Sequence, residues 1–145
     1  MGVDMSETRH GTYLTTSVTQ ERFPFFRRSA TAELFIDVLQ HYRRQGHYKL
    51  HAFVVMPDHV HLLITPEGIT LERAMQFVKG GFSRRFAPRT TVWQKGFQDH
   101  RCRDAEEFLV RKRYVHENPV RAGLAAEAHL YPFSSAFRGT QTPSG

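Results

Sequence analysis

Apolar and polar positions alternate most clearly between Tyr48 and Pro66, in the run YKLHAFVVMPDHVHLLITP. Leu50, Ala52, Val54 and Met56 alternate with His51, Phe53 and Val55, and Val60, Leu62 and Ile64 alternate with His59, His61 and Leu63. That is the period of two a strand imposes. Met56-Pro57-Asp58-His59 supplies a turn, because Pro presets φ at the first central position and Asp hydrogen-bonds its own backbone. An antiparallel hairpin is expected. Upstream, Tyr13, Thr15 and Ser17 alternate with Leu14, Thr16 and Val18, which predicts a first strand within His10 to Thr19 with one apolar and one mostly polar face.

Helical spacing appears in Leu34, Phe35, Val38, Leu39 and Tyr42, with Ser29 or Thr31 as cap and an end near Gly46. It recurs in Ala74, Met75, Val78, Phe82 and Phe86, opened by Thr70 and closed by Pro88. Gly80-Gly81 interrupts this second helix. Each glycine costs about 1 kcal/mol relative to alanine, and a kink is preferred over close approach of a backbone as the reason. Phe97 to Arg103 gives a weaker fourth strand. Asp104 then caps a third helix, with Glu107 completing a capping-box pattern and Ala105, Phe108, Leu109 and Val115 as its apolar stripe. At about 100° per residue, Val110, Tyr114 and Asn118 fall together, well off that stripe. A residue before proline is pushed out of helical geometry, so Asn118 before Pro119 marks the expected helix end and frees its amide.

The order strand, helix, strand, strand, helix, strand, helix is that of an α+β, ferredoxin-like (split βαβ) antiparallel sheet with an extra C-terminal helix carrying Tyr114. The first two helices cover one face. Residues 1–145 read as one domain, with about 126–145 a partly disordered C-terminal extension and Ser134 to Gly145 its most polar part.

Chemistry enters on the second hairpin strand. Val60, Leu62 and Ile64 seek the core, which sends His59 and His61 together to the opposite face. Two neutral imidazoles on one rigid strand grip a divalent cation, given a third ligand from elsewhere. The plain alternative is two ordinary half-exposed histidines in a chain with nine.

Composition narrows the partners. The 145 residues are 40% hydrophobic with 12 Phe, enough for a sizeable core. Twenty Lys and Arg against 14 Asp and Glu give a formal charge of +6, and a pI near 9.9 favours a polyanion such as nucleic acid. Cys102 is the single cysteine, which leaves no internal disulfide and no Cys-rich zinc site. No apolar run approaches the roughly 18 residues of a membrane span, and the start lacks the apolar core of a secretory signal, so a cytoplasmic, nucleoid-associated protein is expected. Met1-Gly2 with Ser6 formally matches a myristoylation pattern and is discounted. Lys79, Arg84 and Arg85 form a basic edge on the second helix, either a DNA contact or a solvated face.

Three stretches together resemble a known family: VVMPDHVHLLI at Val54 to Ile64, WQKGFQDH at Trp93 to His100, and YVHENPVRAGLA at Tyr114 to Ala125, followed by YPFSS at Tyr131 to Ser135. The chain resembles the REP-associated tyrosine transposases, of the IS200-like single-tyrosine HUH transposases and nucleases. The resemblance implies that His59 and His61 are metal ligands for Mg²⁺ or Mn²⁺. It implies that Tyr114 is the nucleophile, forming a 5′-phosphotyrosine with single-stranded or hairpin DNA. Asn118 stands where relatives often carry a third ligand, with a shorter reach than Gln. Either a neighbouring metal or a cationic group such as Arg111, which is also a candidate DNA contact, favours the phenolate, or a base takes its proton during attack. His116 is assigned to packing, and His100 lies in the resembling stretch with no assigned role. Monomer and homodimer both stay open.

Two rival readings are weaker. A silent RNA- or single-strand-binding module explains charge and fold, but not Tyr114 and Asn118 beside His59 and His61. A metal-free phosphoesterase needs two His-x-Thr/Ser motifs, and only His10-Gly11-Thr12 qualifies.

Overall fold

The computed structural model describes residues 11–138. The myristoylation pattern, His10 of the His-x-Thr motif, and residues 139–145 of the tail lie outside that span. Seven main elements follow in order: β1 (Thr12–Val18), α1 (Ser29–Arg44), β2 (Tyr48–Met56), β3 (His59–Pro66), α2 (Leu71–Phe86), β4 (Gln98–Cys102) and α3 (Ala105–Arg121). The strands form one antiparallel sheet in the order β2-β3-β1-β4, the split βαβ arrangement read from the sequence.

Each face of the sheet has its own core. Val60, Leu62 and Ile64 pack with Phe35, Val38 and Leu39 of α1 and with Met75, Val78 and Phe82 of α2, around Phe26. On the other face a smaller cluster joins Leu14, Ala52, Val54, Met56 and Leu63 to Val115 of α3 and Tyr131. The hairpin therefore behaves as its alternation predicts, with one correction. Register shifts between Leu50 and Ala52, a bulge that moves Leu50 off the face of Ala52, Val54 and Met56 and against the helical core.

β1 departs further from its reading. Thr15 and Ser17 pair with Leu62 and Val60 and are fully buried against the helical layer, where their hydroxyls lack partners among the described residues. The nominally polar face of β1 is thus the drier one. Leu14 and Thr16 face α3 instead, opposite Leu63 and His61.

The helices correct further expectations. α1 begins at Ser29 with Arg28 as its cap residue, so neither Ser29 nor Thr31 caps it. Thr70 does cap α2, accepting from Arg73 N at 3.0 Å. α2 runs unbroken through Gly80-Gly81, without the expected kink. A Cβ on Gly81 would stand 2.9 Å from Tyr42 Cε2 and 3.2 Å from Val38 Cγ1, so this glycine serves the close approach of α1. α3 continues past Asn118 and Pro119 to Arg121. Pro119 sits in the last turn, where its missing N–H costs one hydrogen bond. The real stop is Gly123 at φ 77°: Gly123 N donates to Val120 O and Leu124 N to Pro119 O, a Schellman closure. Of the apolar stripe assigned to α3, Val115 is buried and Phe108 half-buried, whereas Ala105 and Leu109 are exposed.

The tail is a second surprise. Residues 126–138 are ordered, and instead of fading from Ser134 the chain runs along the free edge of β2. Val55 N donates to Phe133 O and Ser135 N to Phe53 O, Tyr131 Oη donates to Val55 O at 2.7 Å, and Ser134 is buried. His116 Nε2 lies 2.9 Å from Ser135 Oγ, which ties α3 to this strap. No helix among the described residues is long and apolar enough to cross a membrane.

Candidate active site

β3 fixes the centre of the site. Its alternation drives Val60 and Leu62 inward on the helical face and leaves His59 and His61 side by side on the other, ring centroids 4.9 Å apart and nearly perpendicular. Both Nδ1 atoms are engaged. His59 Nδ1 lies 2.7 Å from Asp58 Oδ1, and Asp58 is held in turn by Arg22 Nη1 at 3.1 Å. His61 Nδ1 lies 2.9 Å from Thr16 Oγ1. Neither Nε2 has a hydrogen-bond partner among the described residues. Burial above all, helped by His59, pulls His61 down to about 4, so its imidazole is neutral near pH 7.

α3 supplies the other half. The Tyr114 ring stands edge-on to His61, centroids 5.4 Å apart, yet stays 38% exposed and so open to a substrate. Asn118 follows one turn later on the same helical face. Arg121, a further turn on, lays its Cζ 4.6 Å from the Tyr114 ring centroid and donates from Nη2 to Tyr114 O at 3.1 Å, a cation–π contact. Arg111 and His100 border a cavity that Tyr114 and Thr16 also line.

Comparison with known proteins decides what this arrangement belongs to. Residues 9–118 match the family model described as "Transposase IS200 like". The chain belongs to the IS200-like transposase family. It is 27% identical over 118 residues to a REP-associated tyrosine transposase of Escherichia coli, covering 77% of this chain and 71% of that one. It is 26% identical over 153 residues to a putative REP-associated tyrosine transposase of Haemophilus influenzae, covering 90% and 82%. A solved REP-associated tyrosine transposase bound to a REP hairpin superposes with a TM-score of 0.78 at 23% identity over 89% of this chain and 78% of that one. A putative transposase from Deinococcus radiodurans gives 0.55 at 22% identity over 74% and 88%. At such identities the two structures speak for the fold.

Within this transposase-family chain, the structure brings together His59, His61 and Tyr114, with Asn118 on the tyrosine's face and Arg111 at its edge. It does not bring Lys79, Arg84 and Arg85 to them: these belong to α2, on the opposite layer. Lys79 Nζ donates to Gly96 O and sits against the Trp93 and Phe97 rings. Among the described residues no three His, Cys, Asp or Glu gather as a metal cluster. A cation on His59 and His61 therefore needs an oxygen donor of another kind, and the Asn118 carboxamide is of the right chemistry. The two imidazoles fit the role of ligands, since each has its Nδ1 oriented by a second group and its Nε2 uncommitted.

Three residues of the site escaped the sequence reading. Arg121 lies seven positions after Tyr114, a spacing that returns to the same helical face; ending the helix at Pro119 hid it. Asp58 has the local signature of a turn residue, although a carboxylate next to a paired histidine is also the expected orienting group. Thr16 carried no signal beyond its place in an alternating strand.

Proposed function

We propose that this chain is a metal-assisted transposase that nicks and rejoins single-stranded DNA at hairpin-associated sequences through a covalent bond to Tyr114. The observation that carries the reading is the 5.4 Å meeting of the Tyr114 and His61 rings, which sets a solvent-open phenol beside two histidines with free Nε2 atoms. The likeness to a protein bound to a REP hairpin supports hairpin DNA as the substrate class.

In the reaction Tyr114 Oη bonds to the scissile phosphorus while the bond to the 3′ oxygen breaks. The phenol gives up a proton and the departing oxygen gains one, leaving a 5′-phosphotyrosine and a free 3′-OH. Rejoining is the reverse, and because the broken bond's energy is held in the phosphotyrosine, no nucleotide cofactor is needed. His59, His61 and Asn118 would hold Mg²⁺ or Mn²⁺, which when bound polarises the phosphate. Arg121, packed on the Tyr114 ring, orients the nucleophile and puts positive charge where the anionic strand must pass. Arg111 does the same from the other side. Lys79, Arg84 and Arg85 are left to contacts with DNA farther from the cut.

The test is labelled single-stranded DNA carrying flanking hairpins, incubated with and without Mg²⁺ or Mn²⁺. A nick that requires metal, with a denaturant-resistant protein–DNA species mapping to Tyr114, is the expected result. His59→Ala and His61→Ala lose cleavage and keep the circular dichroism of the fold. Wild-type cleavage by both alanine variants at limiting metal would remove the metal assignment.

A further inference from the structure

His100 has no part in the reaction as described, yet it stands in the wall of a cavity of about 590 Å³ that opens beside Tyr114. That volume lies within the range of small-ligand sites, roughly 300–1,000 Å³. The cavity runs between sheet and helix: Leu14 and Thr16 from β1, Gln98, Asp99 and His100 from β4, Arg111 and Tyr114 from α3, with Asp99 opposite Thr15 and so turned to the other face of the sheet. Strand register sets Gln98 opposite Thr16 and His100 opposite Leu14, so these two side chains fall on the sheet face that carries His61.

Its far end is a clamp. Glu107 Oε2 lies 2.7 Å from His100 Nε2 and 3.6 Å from Arg111 Nη2, while Arg111 Nη2 is 2.8 Å from His100 Nε2. A single imidazole nitrogen serves one of these at a time: protonated, it donates to Glu107, and bare, it accepts from Arg111. Either way the guanidinium is held through Nη2; its Nε is buried without a partner among the described residues, and Nη1 is the donor left for a ligand. A cation fixed at one end with donors to spare, a carboxamide across from it and a nucleophile at the mouth together match the parts of one nucleotide.

We propose that this cavity seats the nucleotide next to the scissile phosphate, with Arg111, locked by Glu107 and His100, holding its backbone phosphate and Gln98 reading its base. The proposal rests on the phosphotyrosine reading and adds sequence discrimination to it. A carboxamide offers one donor and one acceptor, which fits a base edge with the complementary pair, the N6 and N7 edge of adenine among them. His100 and Glu107 are positioning residues that act through Arg111.

The experiment uses the full chain and single-stranded oligonucleotides in which each position flanking the cut carries all four bases or an abasic residue in turn. At one of the two positions, wild type loses cleavage by about tenfold or more on abasic or mismatched substrate, and Gln98→Ala brings the four bases to within about twofold while still forming the Tyr114 adduct. A parallel binding measurement places 2-aminopurine at that position with Tyr114→Phe protein. Its fluorescence changes on binding, and the change is lost when Gln98→Ala is added. Adduct formation indifferent to the base at both positions, or discrimination that survives Gln98→Ala, overturns the seat and leaves the nuclease reading standing. A Gln98-dependent fluorescence change with no adduct on any substrate sinks the nuclease reading and keeps the seat; neither signal sinks both.

Discussion

The two faces of this sheet are built from the same four strands and are packed for opposite purposes. Against α1 and α2 the sheet makes a dry core in which Phe26, Phe35, Phe82 and Trp93 interlock with ring centroids 5.3–6.0 Å apart. Against α3 it makes a thin apolar strip around Val115 and leaves polar groups beside it, His59 and Thr16 half-buried, Gln98 and Tyr114 exposed. Even the hydroxyls follow this division. Those of Thr15 and Ser17 are buried without partners among the described residues on the stabilising face, while that of Thr16 orients a histidine on the other. Stability and chemistry are thus separable here by face, and substitutions on the two faces test that separation.

The largest effect belongs to the chemical face. Tyr114→Phe keeps the ring against His61 and removes only the oxygen, so covalent adduct formation is abolished while unfolding free energy changes by no more than about 0.5 kcal/mol, as for other exposed positions. Gel mobility under denaturing conditions and a urea titration read the two quantities on one preparation. An adduct formed by the phenylalanine variant would move the nucleophile elsewhere.

The mirror experiment is Phe35→Ala on the helical face. Phe35 is fully buried and touches the Phe26, Phe82 and Trp93 rings, so its removal leaves a cavity and costs about 3–5 kcal/mol. If the faces are independent, the fraction still folded cleaves at the wild-type rate per active molecule, measured by single-turnover cleavage normalised to adduct yield. A matching loss of rate would show that the helical core sets the site's geometry.

The sequence disclosed these faces unequally. The hairpin was legible because Val60, Leu62 and Ile64 of β3 share one destination in the helical core, and the same alternation picks out His59 and His61 on the other face. Tyr114 was separable from core by helical phase alone. What stayed hidden depended on contacts distant in sequence. No local pattern shows that the Thr15 face of β1 is the buried one, that the strap from Tyr131 to Ser135 closes the β2 edge, or that the helix absorbs Pro119 because Gly123 finishes it one turn later. Arg121 was lost with that last turn.

Gly81 is the case where a local rule points the wrong way, because glycine in a helix suggests a bend until the neighbouring helix is in view. Tyr42 and Val38 of α1 occupy the space a Cβ would need. Gly81→Ala therefore forces α1 and α2 apart and destabilises by about 1–3 kcal/mol, against the gain of about 1 kcal/mol that alanine brings to an unobstructed helix. Gly80→Ala is the control, since its Cβ would meet only the flexible Arg84 side chain, and it is neutral or stabilising. Chemical denaturation of the pair gives opposite signs if close approach is the reason, and the same sign if it is not.

The smallest effect lies at the edge of the chemical face, in Glu107. Its carboxyl is contacted by His100 and accepts from Arg103 N at 2.8 Å and Arg103 Nε at 3.2 Å. The His100 hydrogen bond first, then the Arg103 backbone, hold it down from 4.5 to about 2. The folded value is below the unfolded one, so the unfolded chain takes up this proton first as pH falls. The stabilisation is complete above about 4.5 and is lost progressively as the pH drops toward 2. Glu107→Gln removes the titration, so wild type is more stable than the variant at neutral pH and the gap closes through that window. Salt narrows the gap further, because these partners are largely exposed. Urea midpoints of both proteins measured down the acid limb test this: a difference that stays constant from neutral pH to pH 2 would mean that Glu107 supports α3 by its shape and backbone contacts alone, and that the charge at this edge of the site does not contribute to the fold.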